Sequence, residues 1–377
     1  MGMLVAAVAL AASLVQPQFL LATRLEAAAS PRVQTLYTMP KGTIQAFAQD
    51  GRSISWFAAG TKACNTVTVL GLDNGVRETL PDESAGAPNV TCRWEVVPPV
   101  GLALARNDVL WTLREAGPVS FDYVLGAGVT DPRERRFKEV AHTAKGPGLW
   151  LGGIAGSGDT LVYAVTNVAY VDEVACLSTP GTPGACDMKI AGGGVYRVSG
   201  RKPPPQIDGT SAAVAVAAAD STIAFVPADT VAKDGTPMAG ADLPIEVRSS
   251  ATGTLLSRAT PQGTPVAIAL STKVLVSLER MPAGLALSWY DTATGKRLGS
   301  IPVPATTAAE LSATDQLVVF RNGRTIRSLN LETRKVTTLA RAAATPIGLS
   351  LEGSRVAWAE NVKGRGRVRA LYVKGRG

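Results

Sequence analysis

Side chains that could support hydrolytic or zinc chemistry are scarce in this chain. His142 is its only histidine, so a catalytic triad or a zinc site that needs histidine has one position from which to form. His142 lies in Val140-Ala141-His142-Thr143, and no Gly-x-Ser-x-Gly nucleophile elbow accompanies it. We therefore expect a packing or surface histidine, and the sequence argues against zinc catalysis.

Carboxylate chemistry stays open, because glycoside hydrolysis needs only two acids held a few ångströms apart. The 30 Asp and Glu residues supply many chance candidates. Asp50, Asp73, Asp220 and Asp315 sit in predicted turns, where hydrogen bonds to the local backbone explain them. From these patterns we predict no catalytic residue, no cofactor and no metal.

The four cysteines indicate disulfides, because an even count is typical of exported proteins and no Cys-x-x-Cys is present. Four cysteines allow three pairings, and proximity in sequence favours Cys64 with Cys92 and Cys176 with Cys186. The second pair would close a loop rich in Pro and Gly into a rigid protrusion on the surface.

Two sets of charged residues are candidates for a binding surface. Asp172, Glu173 and Asp187 stand near the second cysteine pair, and their spacing matches no calcium-loop pattern. The basic candidates are Arg133, Arg135, Arg136, Lys363, Arg365 and Arg367. A net charge of +8 favours anionic partners. The aromatic content is only 5% and is not interleaved with the basic C-terminal residues, which argues against a specific nucleic-acid platform.

The N-terminus predicts export. Residues 3–22 are apolar except for a Gln-Pro-Gln interruption, and Ala27-Ala28-Ala29 fits a signal-peptidase site after Ala29. We predict a signal peptide at residues 1–29, with a retained N-terminal anchor as the alternative. The mature chain would be secreted or associated with the cell envelope, without a transmembrane domain, and its high Ala and Gly content indicates a bacterial source.

A repeated pattern organises the rest of the chain. A polar turn is followed by an aliphatic residue and a second apolar residue two places on, which puts both on one face of a strand. The seven pairs are Ile54 and Trp56, Val109 and Trp111, Leu161 and Tyr163, Ile223 and Phe225, Val274 and Val276, Leu317 and Val319, and Val356 and Trp358. An apolar strand of small residues precedes each turn, and a second hairpin signal follows most pairs.

Each repeat therefore offers about four strands in a meander. Seven such units with almost no helical periodicity predict an all-β fold, namely a seven-bladed β-propeller of four-stranded antiparallel blades. The last unit is one strand short, and residues 31–40 provide a strand that would close the ring and pair its open edge. Residues 30–377 would form this single domain. The predicted blades are 43–84, 88–145, 149–207, 209–261, 263–304, 306–342, and 344–377 with 31–40.

The turn and strand phrases resemble a known repeat family. Asp50-Gly51-Arg52-Ser53-Ile54-Ser55-Trp56 and Glu352-Gly353-Ser354-Arg355-Val356-Ala357-Trp358 are similar to the Asp-Gly-Lys-x-Ile-Ala-Phe repeats of TolB-like and WD40-like propellers. The resemblance implies a propeller in an envelope or extracellular setting. The stretch from Ser288 to Lys296 also resembles a quinoprotein repeat, but a propeller hairpin explains it without a quinone cofactor.

These patterns lead to two functional hypotheses. The first is a monomeric, non-catalytic propeller whose rim or axial mouth binds a protein or an anionic envelope polymer. The alternative is a carbohydrate-active hydrolase or lyase with paired carboxylates at the axial mouth. A close pair of acids facing the axis, one with a raised pKa, would favour the enzyme. A mouth without such a pair, beside an apolar or basic patch on the rim, would favour binding.

Overall fold

The structure is a computed structural model. It describes residues 32–59, 66–80, 101–106, 108–115, 121–128, 138–144, 148–178, 183–198, 204–240, 242–304 and 310–373. Within these ranges the chain forms 28 strands and one short helix, α1 (Glu173–Ser178). The predicted all-β class is confirmed. Pro31–Gly377 form one compact unit, and the predicted signal peptide lies outside the described residues.

The described strands pair antiparallel in seven sheets. The chain begins with β1 (Gln34–Thr38). The first sheet contains β2 (Thr43–Asp50), β3 (Ser53–Ala59), β4 (Thr66–Gly71) and β5 (Arg77–Leu80). The second contains β6 (Leu102–Ala105), β7 (Asp108–Glu115), β8 (Phe121–Gly128) and β9 (Lys138–Ala144). The third contains β10 (Gly148–Ser157), β11 (Thr160–Tyr170) and β12 (Met188–Arg197).

The remaining four sheets follow in chain order. The fourth contains β13 (Ala213–Ala219), β14 (Thr222–Val231), β15 (Pro237–Ala239), β16 (Ile245–Ser249) and β17 (Leu255–Ala259). The fifth contains β18 (Thr264–Leu270), β19 (Val274–Met281), β20 (Gly284–Asp291) and β21 (Arg297–Val303). The sixth contains β22 (Leu311–Ala313), β23 (Leu317–Asn322), β24 (Thr325–Asn330) and β25 (Val336–Arg341). The seventh contains β26 (Ile347–Glu352), β27 (Arg355–Val362), β28 (Arg365–Tyr372) and β1.

The first strands of the sheets contact one another in a cycle. β2 contacts β6, β6 contacts β10, and the contacts continue through β13, β18, β22 and β26 back to β2. β1 pairs with β28, with Gln34 opposite Ala370 and Thr38 opposite Arg367. The small residues that dominate the first strands, such as the alanines of β13, suit a position where neighbouring sheets crowd together. The arrangement is a propeller-like fold.

Seven apolar cores lie between neighbouring sheets, and residues of the predicted pairs lie in six of them. Ile54 and Trp56, for example, are buried against Ala357 and Val368 of the seventh sheet. The pairs chosen from the second, third, fourth and seventh repeats likewise face the preceding sheet. These core residues hold each sheet against its neighbour.

The pairs chosen from the fifth and sixth repeats lie on the opposite face. Val274 and Val276 pack against the sixth sheet, and Val319 packs against the seventh. The residue just after the turn is apolar in these repeats, whereas Ser53 or Thr222 occupies that position elsewhere. Counting from the first aliphatic residue therefore shifts the pair by one place. The residues that face the preceding sheet are Leu275 in the fifth sheet and Val318 with Phe320 in the sixth.

The third and fourth sheets depart from the predicted four strands. In the described part of the third sheet only three strands form, with a single bridge from Tyr196 to Gln206 beyond them. Pro204 and Pro205 precede this bridge, and proline lacks the N–H that a ladder needs. The fourth sheet instead gains β15, which pairs with the extended end of β14.

No helix in the described ranges is both long and apolar enough to cross a membrane. The only helix among them, α1, has six residues.

Candidate binding surfaces

The connection from β11 to β12, residues 172–187, is cross-linked, and we call its described residues, 172–178 and 183–187, the protrusion. Cys176 and Cys186 form the predicted disulfide. Asp172 accepts a hydrogen bond on Oδ1 from the Ala175 N–H (2.9 Å), which caps the start of α1. The Val171 N–H donates to the Asp187 carbonyl (2.7 Å) and closes the base of the loop. The disulfide and the backbone bonds thus hold this connection as one unit.

The protrusion exposes apolar side chains. Val174 is 76% exposed and Leu177 is 68% exposed, and Val171 at its base is 49% exposed. Val174 and Leu177 lie three positions apart, which places them on the same side of α1. The predicted residues Asp172, Glu173 and Asp187 are exposed around them. The result is an apolar surface with an acidic border.

Sequence reasoning missed Val174 and Leu177. The signal that could have found them is their spacing within a loop closed by two cysteines. The calcium alternative gains no support, because the described residues include no group of three or more His, Cys, Asp or Glu side chains placed to hold a metal. The acids of the protrusion therefore stay candidates for protein contact.

The basic C-terminal candidates lie on the hairpin from β27 to β28. Lys363 (φ 50°) and Gly364 form its turn, and Lys363 and Arg365 are exposed. Arg367 instead donates to Glu360 Oε1 (2.9 Å), and Glu360 is only 2% exposed. Glu360 Oε2 also accepts the Ala343 N–H (2.9 Å). Arg367 thus neutralises a buried acid, while the other two basic side chains face solvent.

The other predicted residues are not brought together with these. Arg133, Arg135 and Arg136 lie outside the described residues, as do Cys64 and Cys92. The protrusion belongs to the third sheet and the basic hairpin to the seventh, and these sheets are not neighbours in the cycle of contacts. The predicted acidic and basic residues therefore form separate surfaces.

A polar cavity, which we call the mouth, lies where the turns after the first strands converge. This is the end of the sheets opposite the connection from β11 to β12 and the turn from β27 to β28. The mouth has a volume of about 650 Å³ and adjoins a smaller cavity of about 240 Å³, which is lined by all seven first strands, mostly with small and aliphatic residues. Four acids line the mouth, Asp50, Asp220, Asp315 and Glu352, together with Lys273. The mouth is therefore acidic, although the chain as a whole carries +8.

Two of these acids hold neighbouring sheets together. Asp50 accepts the Arg106 N–H on Oδ2 (2.6 Å) and the Gly158 N–H on Oδ1 (3.0 Å), which belong to the second and third sheets. Asp315 accepts the Lys273 N–H (2.9 Å) and the Thr272 hydroxyl from the fifth sheet. The expectation that local hydrogen bonds explain these two turn residues was wrong, because their partners are turns of other sheets.

The electrostatics of the mouth distinguish Glu352 from Asp315. Burial raises the pKa of Glu352, and the negative charge of Asp50 raises it further, while Arg355 opposes the shift. Burial also acts to raise the pKa of Asp315, but the hydrogen bonds from Lys273, Ser271 and Thr272 outweigh it and lower that pKa. The mouth therefore raises the pKa of Glu352 and lowers the pKa of Asp315.

His142 belongs to β9, opposite Tyr123 of β8. It is not among the residues that line the mouth.

Comparison with known proteins informs the fold alone. No family model matches the chain, and no curated protein matches it. Among solved structures, an acylaminoacyl peptidase from Pyrococcus horikoshii is similar with a TM-score of 0.50 and 10% identity over 88% of this chain and 51% of that one.

Two further solved structures are similar at lower scores. The β-propeller domain of the Trilobed protease from Pyrococcus furiosus has a TM-score of 0.48 and 10% identity, covering 89% of this chain and 96% of that one. BamB from Moraxella catarrhalis has a TM-score of 0.45 and 10% identity, covering 86% and 85%. The TolB-like and WD40-like resemblance stays a prediction.

Proposed function

We propose that this chain is a seven-bladed β-propeller, closed by its N-terminal strand, that serves as a non-catalytic binding scaffold outside the cytoplasm. The cycle of contacts among seven first strands and the pairing of β1 with β28 support the closed ring. The disulfide between Cys176 and Cys186 supports an oxidising compartment, because such bonds are rare in the cytosol.

The observation that carries the binding function is the exposure of Val174 and Leu177 on the protrusion and of Val171 at its base. Single exposed apolar residues are common on protein surfaces, but a group held on a rigid loop is typical of a contact site. The acids around the group favour a partner whose apolar pocket has a basic border. The protrusion would supply the central anchor of that contact.

A pull-down with the mature protein from its native envelope fraction tests this function. Val174→Ser with Leu177→Ser should remove the captured protein. Leu256→Ser with Leu298→Ser is the matched control, because these leucines are 46% and 45% exposed on other sheets. Equal capture by all three proteins would contradict binding through the protrusion.

One observation favours the alternative function of a carbohydrate-active hydrolase or lyase. Glu352 has the raised pKa that a general acid needs, and Asp50 contributes to it. However, both oxygens of Asp50 accept backbone amides from other sheets, so this second acid is already engaged in holding the fold. The binding scaffold is therefore the better-supported function.

The alternative has a direct assay. Purified protein would be incubated with soluble polysaccharides, and the release of reducing ends measured. We expect none. Release that is lost in Glu352→Gln, with the folded state retained, would establish the enzyme and overturn the scaffold.

A further inference from the structure

The whole net charge of the chain resides in its last two predicted repeats. Residues 306–377 contain thirteen Lys and Arg residues against five Asp and Glu residues, which gives +8. Residues 1–305 contain 25 of each sign, so they carry no net charge. The two repeats that contain the sixth and seventh sheets therefore form a basic region, and the positive and negative charges of the rest of the chain are equal in number.

The exposed basic side chains lie along β25, the outer strand of the sixth sheet, and at the turns from β23 to β24 and from β27 to β28. On the sixth sheet Arg334 and Lys335 precede β25, and Arg341 ends it. Arg324 precedes Thr325, the partner of Arg341, so the two arginines lie at the same end of the sheet. On the seventh sheet Lys363 and Arg365 flank the turn from β27 to β28. All six are exposed: Arg324, Arg334, Lys335, Arg341, Lys363 and Arg365.

The basic ends of the two sheets adjoin. Arg324 donates to the Ala343 carbonyl (3.2 Å), and the Ala343 N–H donates to Glu360, which also pairs with Arg367 of β28. The two sheets also share an apolar core. The sixth and seventh sheets are thus in direct contact at the end that carries Arg324, Arg341, Lys363 and Arg365.

The acids of these repeats leave the basic side chains largely uncompensated. Glu310 pairs with Arg321 (2.8 Å), and Glu360 pairs with Arg367 (2.9 Å) inside the fold. Asp315 and Glu352 line the mouth. Glu332 is the exposed acid that stands beside Arg334. The surplus of positive charge therefore faces solvent along β25 and at these turns.

The distance between these charged side chains indicates how long a ligand must be to contact all of them. β25 has six residues, so the basic groups at its two ends are about 20 Å apart. A small anion cannot reach both ends, and a flat bilayer facing one end of the sheets would meet only Arg324, Arg341, Lys363 and Arg365. A flexible chain laid along β25 and past the turn of the seventh sheet can contact all six.

The surface offers charge but few rings. Tyr372 is the sole aromatic among the large exposed hydrophobic residues of the described ranges. Recognition of stacked bases needs several aromatic platforms. The ligand would therefore be read through its backbone charge rather than through bases.

We propose that β25 of the sixth sheet and the turn from β27 to β28 of the seventh sheet bind a linear phosphate-bearing polyanion along the line from Arg334 to Arg365. This site is independent of protein binding at the protrusion. Its strength would depend on salt, because each neutralised phosphate releases condensed counterions.

Binding of fluorescent inorganic polyphosphate to the full chain, measured at several salt concentrations, tests the site. Arg324→Gln, Arg341→Gln, Lys363→Gln and Arg365→Gln together should weaken binding at least about tenfold and lower the salt slope, by up to about three if all four groups contact phosphate. The matched control replaces four exposed basic residues of other sheets, Lys189→Gln, Lys233→Gln, Arg280→Gln and Lys296→Gln. It has the same net charge of +4 (8 less 4) and should bind within about threefold of wild type.

Equal loss in both variants would overturn the site, because net charge alone would then explain the binding. Failure of the wild type to bind at about 100 mM salt would also overturn it. Vesicles of phosphatidylglycerol and a single-stranded DNA of matched length distinguish the sources of phosphate. Binding only to vesicles would refute a linear ligand, and a tenfold preference for DNA would refute reading by charge alone. If the fourfold variant fails to fold, Arg324→Gln with Lys363→Gln against Lys189→Gln with Lys296→Gln gives the same comparison.

Discussion

Asp50 joins three sheets through one carboxylate. It ends β2 in the first sheet and accepts backbone N–H groups of Arg106 and Gly158 from the next two sheets. Asp315 makes the corresponding link from the sixth sheet to the fifth, and Glu310 accepts the N–H of Leu349 from the seventh. Acids of this chain thus connect neighbouring sheets by hydrogen bonds that the apolar cores cannot supply.

Replacing Asp50 should therefore cost more than an ordinary turn substitution. Asp50→Ala leaves two amide donors without their charged acceptor, and each such bond contributes about 1.5–3 kcal/mol. We expect the free energy of unfolding to fall by about 3 kcal/mol, measured by urea denaturation. Asp73→Ala is the control, because Asp73 forms only an exposed ion pair with Arg52. Equal effects of the two changes would contradict the role of Asp50 as a link.

Replacing Glu352, unlike replacing Asp50, should increase the stability of the folded protein at pH 7. Its pKa is raised in the folded protein, so the folded state holds a proton that the unfolded state releases. Stability therefore falls as pH rises from the ordinary carboxyl pKa through the raised one. Glu352→Gln should make the protein more stable at pH 7, and the gain should vanish below the ordinary carboxyl range. Urea midpoints measured from acid to neutral pH check this.

Asp315 provides the contrasting profile for the same measurement. Its pKa is lowered in the folded protein, so its contribution is present above the ordinary carboxyl pKa and is lost as pH falls through the lowered one. Asp315→Asn should destabilise at pH 7 and have little effect in acid. If both variants shift stability in the same direction at pH 7, the assigned electrostatics of the mouth are wrong.

Turn chemistry in the sequence located these acids but not their partners. Asp50 and Asp315 were predicted in turns because Asp favours them, and both do stand at the turns of the mouth. Their partners lie 56, 108 and 42 residues away along the chain. No local pattern encodes such distances, because they depend on how neighbouring sheets are placed.

At the scale of single elements, the apolar pairs predicted the strands more reliably than their orientation. The one-place shift in the fifth and sixth repeats arises because Val274 and Leu317 occupy the first position after the turn. Helix α1 gave no periodic signal, because six residues are too few to show one. That Val174 and Leu177 share one exposed side follows only from the structure, in which the disulfide and the cap at Asp172 hold these residues in a helix.

The protrusion should depend on its disulfide while the sheets do not. α1 buries none of its residues, and an isolated helix of this length is unstable in water. Cys176→Ser with Cys186→Ser opens a loop of about ten residues, while the pairing of β11 with β12 stays in place. We expect the amides of Ala175 and Cys176 to lose protection from hydrogen exchange, while the thermal transition of the sheets barely moves.

Reduction of the wild-type chain should reproduce that local loss. Unchanged protection at Ala175 after reduction or substitution would show that the cap and the loop bonds hold α1 without the cross-link. The amides of β14, in the neighbouring sheet, serve as the internal reference.

At the scale of the whole molecule, the seventh sheet is the one assembled from both ends of the described chain. Its other three strands are β26 to β28, and β1 adds the fourth along β28. The sequence predicted this pairing because the last repeat is one strand short and a strand-like stretch precedes the first. It could not predict the side-chain contacts that fix β1. Tyr37 stacks on Trp56 at 4.7 Å and accepts a hydrogen bond from Arg77 (2.8 Å).

Those contacts make the closing strand a link between the last and first sheets. Deleting residues 31–40 removes the ladder to β28 and the Tyr37 contacts to the first sheet together. The edge of β28 then opens to solvent, so the amides of Arg367 to Ala370 should exchange faster and the thermal transition should fall. Tyr37→Ala is the milder change and should cost about 1–3 kcal/mol through its lost ring packing and hydrogen bond.

Tyr372→Ala is the control for the aromatic change, because Tyr372 is 48% exposed at the end of β28. If the deleted chain keeps both its melting temperature and the protection of Arg367 to Ala370, β1 does not close the sheet in solution. If protection falls across β28 but stays high in β14, the loss has spread only through the seventh sheet. Loss in both strands at once would instead mean that the closing strand stabilises the cycle of sheets as a whole, because contacts between sheets then fail together.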